Sequence, residues 1–320
     1  MRKDLMPILV LATAAVALPV LTSNAFHIHV AVMVAINMIL VTGLSIVART
    51  GRLSMGHSAF AAIGAYSTVL LITKQGMPWL AAAVVGLGLS MIVAFLLGRV
   101  IVRLRGVYFV LVTFAFAEFV RLLLLEWPEV TGGASGIAGI PPVSVFGFAV
   151  GNLVQWYVLV AAVAVALTFV VHQFFTTPEG VSFLAADANP DLAEATGIPV
   201  AQVQLAAFVI GATITAFGGI LYGGYLGFLS PESFNVHMAI AMVTMLVVGG
   251  VRSSWGPVLG AIILTPLPEF LRGSLHYQHL LYGVVLVVIL VFLPRGIGSI
   301  ASVDVRRRFI EVFERRSRDA

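Results

Sequence analysis

Cysteine is absent, lysine occurs only as Lys3 and Lys74, and charged residues make up 10% of the chain. The missing cysteines exclude disulfides and thiolate metal sites. Neither lysine lies in a G-x-x-x-x-G-K-[ST] run, so a phosphate-binding loop of that kind is excluded. There is no H-E-x-x-H, and no Ser, His and Asp grouping stands out from the apolar background. No metal, no cofactor and no catalytic residue is expected. The scarcity of charge says most. Soluble domains carry roughly 25% charged and 45–50% apolar residues, whereas this chain of 320 residues is 60% apolar. No soluble fold of that length keeps so much apolar surface from water, so the bilayer must be its main solvent.

What is present is a series of apolar runs. About 20 helical residues cross the roughly 30 Å of bilayer hydrocarbon. Runs of that order lie at about 5–22, 28–48, 57–73, 78–98, 106–125, 152–175, 203–226, 237–250, 256–271 and 277–293, the eighth and ninth being short enough to be broken, tilted or re-entrant. The expectation is an all-α integral membrane protein of about ten transmembrane helices over residues 1–294. The first run follows Arg2 and Lys3 and precedes Ser23-Asn24-Ala25, so it reads either as a retained span or as a cleaved signal segment.

Orientation follows from the basic residues. With the N-terminus inside, alternation through ten spans puts fifteen of the eighteen Lys and Arg residues inside, Lys74 and Arg272 outside, and Arg121 within the fifth span. Positive residues favour the cytoplasmic side. The tail 295–320, with Arg306, Arg307, Arg308, Arg315, Arg316 and Arg318, then reads as a basic cytoplasmic segment beside anionic lipid. No aromatic or glycine pattern accompanies these arginines, so nucleic acid is not the expected partner.

Two connections are long. The outer one, about 127–151, holds Thr131, Gly132, Gly133 and Gly136, a backbone able to wrap closely around a ligand or partner. The inner one, about 176–202, has no Lys or Arg but carries Glu179, Asp187, Asp191 and Glu194. Thr177 and Asn189, each followed by proline, are set to cap two short helices, with Gly197 as a stop. Helices this short are marginal alone in water, so this loop is expected to dock on a partner through Asp187, Asn189, Asp191, Leu192 and Glu194.

Within the spans, Gly51-Arg52-Leu53-Ser54-Met55-Gly56-His57 leads into a helix rich in small residues, with Phe60, Gly64 and Tyr66. Small residues let helices approach closely, and glycine permits a broken helix at a transport site. His57 reads more readily as a satisfied structural histidine than as a proton carrier. Glu118 lies roughly 18 Å along the fifth span, and Arg121, one turn on, is its expected ion partner. Tyr108 and Thr113 complete the residues expected on the path or in helix packing. Gly51-Arg52-Leu53-Ser54 and Gly227-Phe228-Leu229-Ser230 follow spans of opposite direction, as an inverted repeat requires. Glu118-Phe119-Val120-Arg121 and Glu269-Phe270-Leu271-Arg272 match with the same direction, so both arrangements stay open.

Taken together, Gly51–Tyr66, Arg105–Phe109 with Thr113–Glu118, Thr131–Pro141, Ala193–Ile198, Ala207–Tyr222, Ser230–Phe234 and Val248–Ala261 resemble the M-type permease subunit of bacterial branched-chain amino-acid ABC importers, within the wider group of ribose-type permeases. The order and spacing match from about 36 to 270. One departure stands out. That family's inner loop usually opens with arginines, and here Gly180–Pro190 has none. The resemblance implies a second, related permease subunit, two cytoplasmic ATPases, a periplasmic or lipid-anchored binding protein, and alternating access in the bacterial inner membrane. Leucine, isoleucine and valine are the implied cargo. Urea, short amides and aromatic acids are carried by close relatives. A passive channel or secondary carrier would need coupling groups of its own, for which only Glu118, Arg121 and His57 stand available.

Overall fold

Asn24 starts the first described helix by accepting a hydrogen bond from the Phe26 amide, and the apolar run behind it continues unbroken as α1, Ala25–Ala48. The computed structural model describes residues 24–145, 148–253, 255–270, 283 and 297. The expected first span therefore lies outside the described residues, as do the tenth and the basic tail apart from the single positions 283 and 297.

The chain is mostly helical. After α1 come α2 (His57–Gln75), α3 (Trp79–Ile101), α4 (Val107–Leu125) and a single turn, α5 (Pro128–Thr131). They are followed by α6 (Leu153–Phe174), α7 (Pro178–Ala188), α8 (Pro190–Ala195), α9 (Val200–Leu226), α10 (Val236–Gly249), α11 (Gly256–Leu264) and α12 (Pro266–Phe270). Six segments among the described residues are long and apolar enough to cross a membrane: α1, α3, α4, α6, α9 and Pro231–Gly249.

Two of the ten expected spans change character. The third is a helix of 19 residues, α2, but its His, Ser, Thr, Gly and Lys leave it less apolar than the six. The reason is position. α2 lies between α1, α3 and α9, with eleven of its residues buried. A helix screened from lipid by other helices has no need to be apolar all round. The ninth is a shorter apolar segment, Gly256–Pro268, in which Thr265 joins α11 to α12 with right-handed helical backbone (φ −67°, ψ −44°) ahead of Pro266. Asn37 Nδ2 of α1 donates to Thr265 Oγ1 at 3.0 Å at this junction.

The bundle therefore has a centre and a rim. The spanning windows of α1 and α9 are 78% and 61% buried, while those of α3, α4 and α6 are 28%, 22% and 39% buried. The outward faces of α3 and α4 carry Val84, Leu96, Val100, Leu111 and Phe119, the surface lipid or a partner helix would cover. In the centre, glycines let backbones meet. A Cβ on Gly64 would lie 2.7 Å from the Ala216 carbonyl, and one on Gly219 would strike the Ala61 carbonyl, so α2 and α9 cross at glycine contact.

The connections sort to two ends. At one end the strand β1 (Ile137–Ala138) pairs antiparallel with β4 (Phe228–Leu229), and the Lys74 ammonium donates to the Glu129 carbonyl at 2.9 Å. A small hairpin, β2 (Ser144–Val145) with β3 (Phe148–Ala149), lies in the same connection. At the other end α7 and α8 meet the α1–α2 turn and the α10–α11 loop.

Candidate functional site

The α7 and α8 end is built on caps. Thr177 Oγ1 accepts from the Gly180 amide at 3.2 Å, Asn189 Oδ1 accepts from the Leu192 amide at 3.0 Å, and Gly197 takes φ 89° at the stop. The expectation that these helices lean on an outside partner for stability is corrected by the structure. Phe183, Ala186 and Ala193 are buried against the chain's own bundle, Phe183 edge-on to Phe174 and Phe175. What faces outward is a second apolar set, Val181, Leu184 and Leu192, with Leu192 61% exposed.

Arginines of neighbouring turns lie close to this loop. Arg252 of the α10–α11 loop pairs with Asp187 at 3.2 Å. Arg49, at the end of α1, is buried with its guanidinium 4.1 Å over the Phe175 ring. Arg52 is the hub of this end. Its Nη1 donates to the Leu104 carbonyl, and its Nη2 donates to the Val102 carbonyl at 2.6 Å and to Gln204 Oε1 at 2.7 Å. One side chain thus ties the α1–α2 turn to the α3–α4 loop and to α9. Burial pushes both guanidinium groups down to about 10, with Arg105 adding to the effect at Arg52, and both stay charged at neutral pH. Gly51, at φ 78°, packs where a Cβ would lie 2.9 Å from Asp187 Oδ1. Between these elements opens a cleft of about 320 Å³, lined among others by Arg52, Arg103, Arg105, Asp187 and Glu194.

The Gly51–Tyr66 stretch then enters the centre. Ser54 Oγ accepts from the Gly56 amide at 3.2 Å and meets His57 Nδ1 at 3.0 Å. His57 is buried among Phe60 and Phe208, and its Nε2 has no hydrogen-bond partner among the described residues. Thr113 is fully buried and accepts from the Met55 amide at 3.2 Å, which joins α4 to the start of α2. Tyr66 is buried, with its hydroxyl 3.5 Å from the Leu229 carbonyl. Tyr108, by contrast, is 72% exposed on the outside of α4, away from the core of this chain.

At the opposite end the glycine-rich loop closes on the chain itself. Thr131 Oγ1 donates to the Leu124 and Trp127 carbonyls and accepts from the Gly133 amide at 3.2 Å. Gly132, Gly133 and Gly136 all have positive φ, and a Cβ on Gly136 would strike the Leu229 carbonyl. The loop clamps residues 228–234. From that segment Glu232 reaches Arg121 of α4, whose guanidinium is also held by both oxygens of Glu118. The Glu118–Arg121 pair was legible as two charges one turn apart. Glu232 was not, because nothing local links it to α4. Arg52, Gln204 and Arg252 were missed for the same reason, although a glutamine inside an apolar span is itself a signal.

A bundle of membrane-length apolar helices with a short apolar helix, glycine crossings at its centre and structured connections at both ends is the build of a polytopic transport permease. Residues 26–293 match the family described as branched-chain amino acid transport system / permease component. The chain is 32% identical over 315 residues to the high-affinity branched-chain amino acid transport system permease protein LivM of Salmonella typhimurium, covering 91% of this chain and 74% of that protein. It is 32% identical over 312 residues to LivM of Escherichia coli K12, covering 90% and 73%. It is also 26% identical over 236 residues, 70% of this chain and 65% of that protein, to the autoinducer 2 import system permease protein LsrC of Salmonella typhi. No solved structure matches. This chain belongs to the branched-chain amino acid transport permease family.

Proposed function

We propose that the chain is the membrane permease subunit of a binding-protein-dependent ABC importer for leucine, isoleucine and valine, working in the bacterial inner membrane. The observation that carries the cargo is the 32% identity to two LivM permeases over nine tenths of the chain. In this reading α2, the α11–α12 segment and the runs 5–22 and 277–293 join the six described spans, for about ten in all. The α7 and α8 end is cytoplasmic, as the split of basic residues indicates, and the α7–α8 surface is where a pair of ATPases docks. ATP hydrolysis belongs to those subunits in this reading, since neither Lys3 nor Lys74 lies in a G-x-x-x-x-G-K-[ST] run. A second, related permease subunit completes the path, and a periplasmic or lipid-anchored protein delivers the cargo.

Local geometry supports an inverted repeat. Gly51 and Gly227 both take positive φ just after a long helix. Ser54 and Ser230 each accept a hydrogen bond from the amide two residues on, and a new helical segment follows each. The two helices before these turns, α1 and α9, cross at Gly43 and Gly211. Two such halves rocking past each other exchange two packings only a few kcal/mol apart, which nucleotide and binding protein can bias.

The test is uptake of labelled leucine by proteoliposomes holding this chain with the permease, ATPase and binding protein encoded beside it. ATP-dependent uptake that needs the binding protein is expected. A binding protein that ignores leucine, isoleucine and valine but holds urea or an aromatic acid would overturn the cargo. Uptake without ATP would overturn the mechanism.

A further inference from the structure

The turn between α3 and α4 carries Arg103 and Arg105, both exposed and neither ion-paired among the described residues. Both line the cleft of about 320 Å³ beside Arg52, with Asp187 and Glu194 on its α7–α8 side. Asp187 is already held by Arg252 at 3.2 Å, and Glu194 forms no ion pair with any of these arginines. Counting Arg252, four guanidinium groups meet two carboxylates. The excess is felt inside the cleft, where burial and then the charge of Arg105 push the Arg52 guanidinium down to about 10. Like charges gathered at one cavity cost free energy until an anion sits among them.

The cleft adjoins the outer face of the bundle. Gly106 lines it, and the next two residues, Val107 and Tyr108, are 70% and 72% exposed. Val100, near the end of α3, is 71% exposed. α3 and α4 are the least buried of the described spans, so the apolar surface running away from the cleft is one that acyl chains would meet. Tyrosine is enriched at the level where such surfaces reach the headgroups. The cavity is at the small end of ligand sites. It has room for a headgroup, and the adjoining apolar face has room for the chains.

We infer that the cleft at the α3–α4 turn binds the phosphate of an anionic phospholipid, held by Arg103 and Arg105 and drawn in by Arg52. A free phosphate shares that chemistry, and the apolar face beside the arginines is the reason for naming the lipid. The site depends on the bundle lying in a membrane, not on its cargo or mechanism. The bound phosphate neutralises the excess charge at the end of the bundle that carries α7 and α8, so the fold is more stable with the lipid than without it.

The test is thermal unfolding of the full chain, delipidated in dodecyl maltoside, with phosphatidylglycerol, phosphatidylcholine, glycerol 3-phosphate or inorganic phosphate added. Wild type is compared with Arg103→Gln/Arg105→Gln, with Arg105→Lys, and with Arg306→Gln/Arg307→Gln, which removes the same charge from the tail. Phosphatidylglycerol is expected to raise the wild-type midpoint by about 5 °C at saturation, and the other additives by less than about 1 °C. The double variant at the turn is expected to need at least roughly tenfold more phosphatidylglycerol for the same shift. Arg105→Lys is expected to fall between, and the tail variant to follow the wild type. Without lipid all are expected to unfold with the wild type, because neither exposed guanidinium has a protein partner to lose. An equal shift from phosphatidylcholine, or an equal loss in the tail variant, means general lipid or charge attraction and overturns the site. An equal shift from glycerol 3-phosphate or inorganic phosphate overturns the lipid as the source of the anion. In the importer assembled in phosphatidylglycerol vesicles, loss of the ATPase from the double variant with an unchanged lipid response assigns the arginines to a protein contact and overturns the site as well. Lipid binding is read without transport, so a failure of leucine uptake counts against the transport reading alone.

Discussion

Removing the Arg52 guanidinium tests whether one side chain holds the α7–α8 end together. Arg52→Ala deletes hydrogen bonds to the Val102 and Leu104 carbonyls and to Gln204, and a cation–π contact 5.1 Å from the Phe109 ring centre. Hydrogen bonds to a charged group contribute about 1.5–3 kcal/mol each. They are not additive, and water entering the vacated space would satisfy part of what is lost. A net destabilisation of about 3–5 kcal/mol follows, since each buried neutral acceptor left without its donor costs about 1–3 kcal/mol before water repairs part of it. Arg52→Lys keeps the charge but loses the planar fork, so its ammonium cannot reach all three acceptors, and about half the effect is expected. The assay is unfolding of the purified chain in mild detergent by added sodium dodecyl sulfate, with Arg103→Ala as control, because Arg103 is exposed nearby. Arg52→Ala and Arg52→Lys both within about 0.5 kcal/mol of wild type would refute the assignment of Arg52 as the tie between these three elements.

Gly64→Ala should destabilise by about 1–3 kcal/mol, because its Cβ would meet the Ala216 carbonyl backbone. Gly88→Ala, with nothing within 4 Å of the added Cβ, should be neutral or stabilising by up to about 1 kcal/mol in the same unfolding assay. Leu192→Asp should abolish coupling between ATP hydrolysis and uptake, since an exposed apolar anchor outweighs rim charges, while Asp191→Asn should be tolerated. Normal transport by Leu192→Asp would reduce α8 to a connector. Single cysteines at Lys74 and Leu192 should label from opposite sides of the membrane with an impermeant maleimide, and labelling of both from outside intact cells would contradict the arrangement of the two ends.

Local signals were read well from the sequence. The caps at Thr177 and Asn189, the prolines behind them and the stop at Gly197 act over three or four residues, and the structure has α7 and α8 where those signals place them. The Glu118–Arg121 pair is equally local. The apolar runs mark α1, α3, α4, α6 and α9, because a bilayer demands length and apolarity before anything else. The run at 57–73 marks α2 as well, and its lower hydropathy follows from its packing between α1, α3 and α9. Hydropathy reports what a segment would meet in lipid, and α2 meets other helices instead.

What only the tertiary structure decided is which distant groups meet. The sequence carries an acidic loop without arginines as an anomaly. The fold gives one of its four acids, Asp187, a partner in Arg252 and lays Arg49 over Phe175 at the same end. The glycine-rich loop was legible as backbone able to wrap something. That it wraps residues 228–234 of its own chain, and so presents Glu232 to Arg121, depends on a strand pairing between positions about 90 residues apart. Composition and hydropathy are properties of neighbours along the chain, and they settled the solvent and the helical class. Charge pairing is a property of neighbours in space, so it became visible only once the helices were packed.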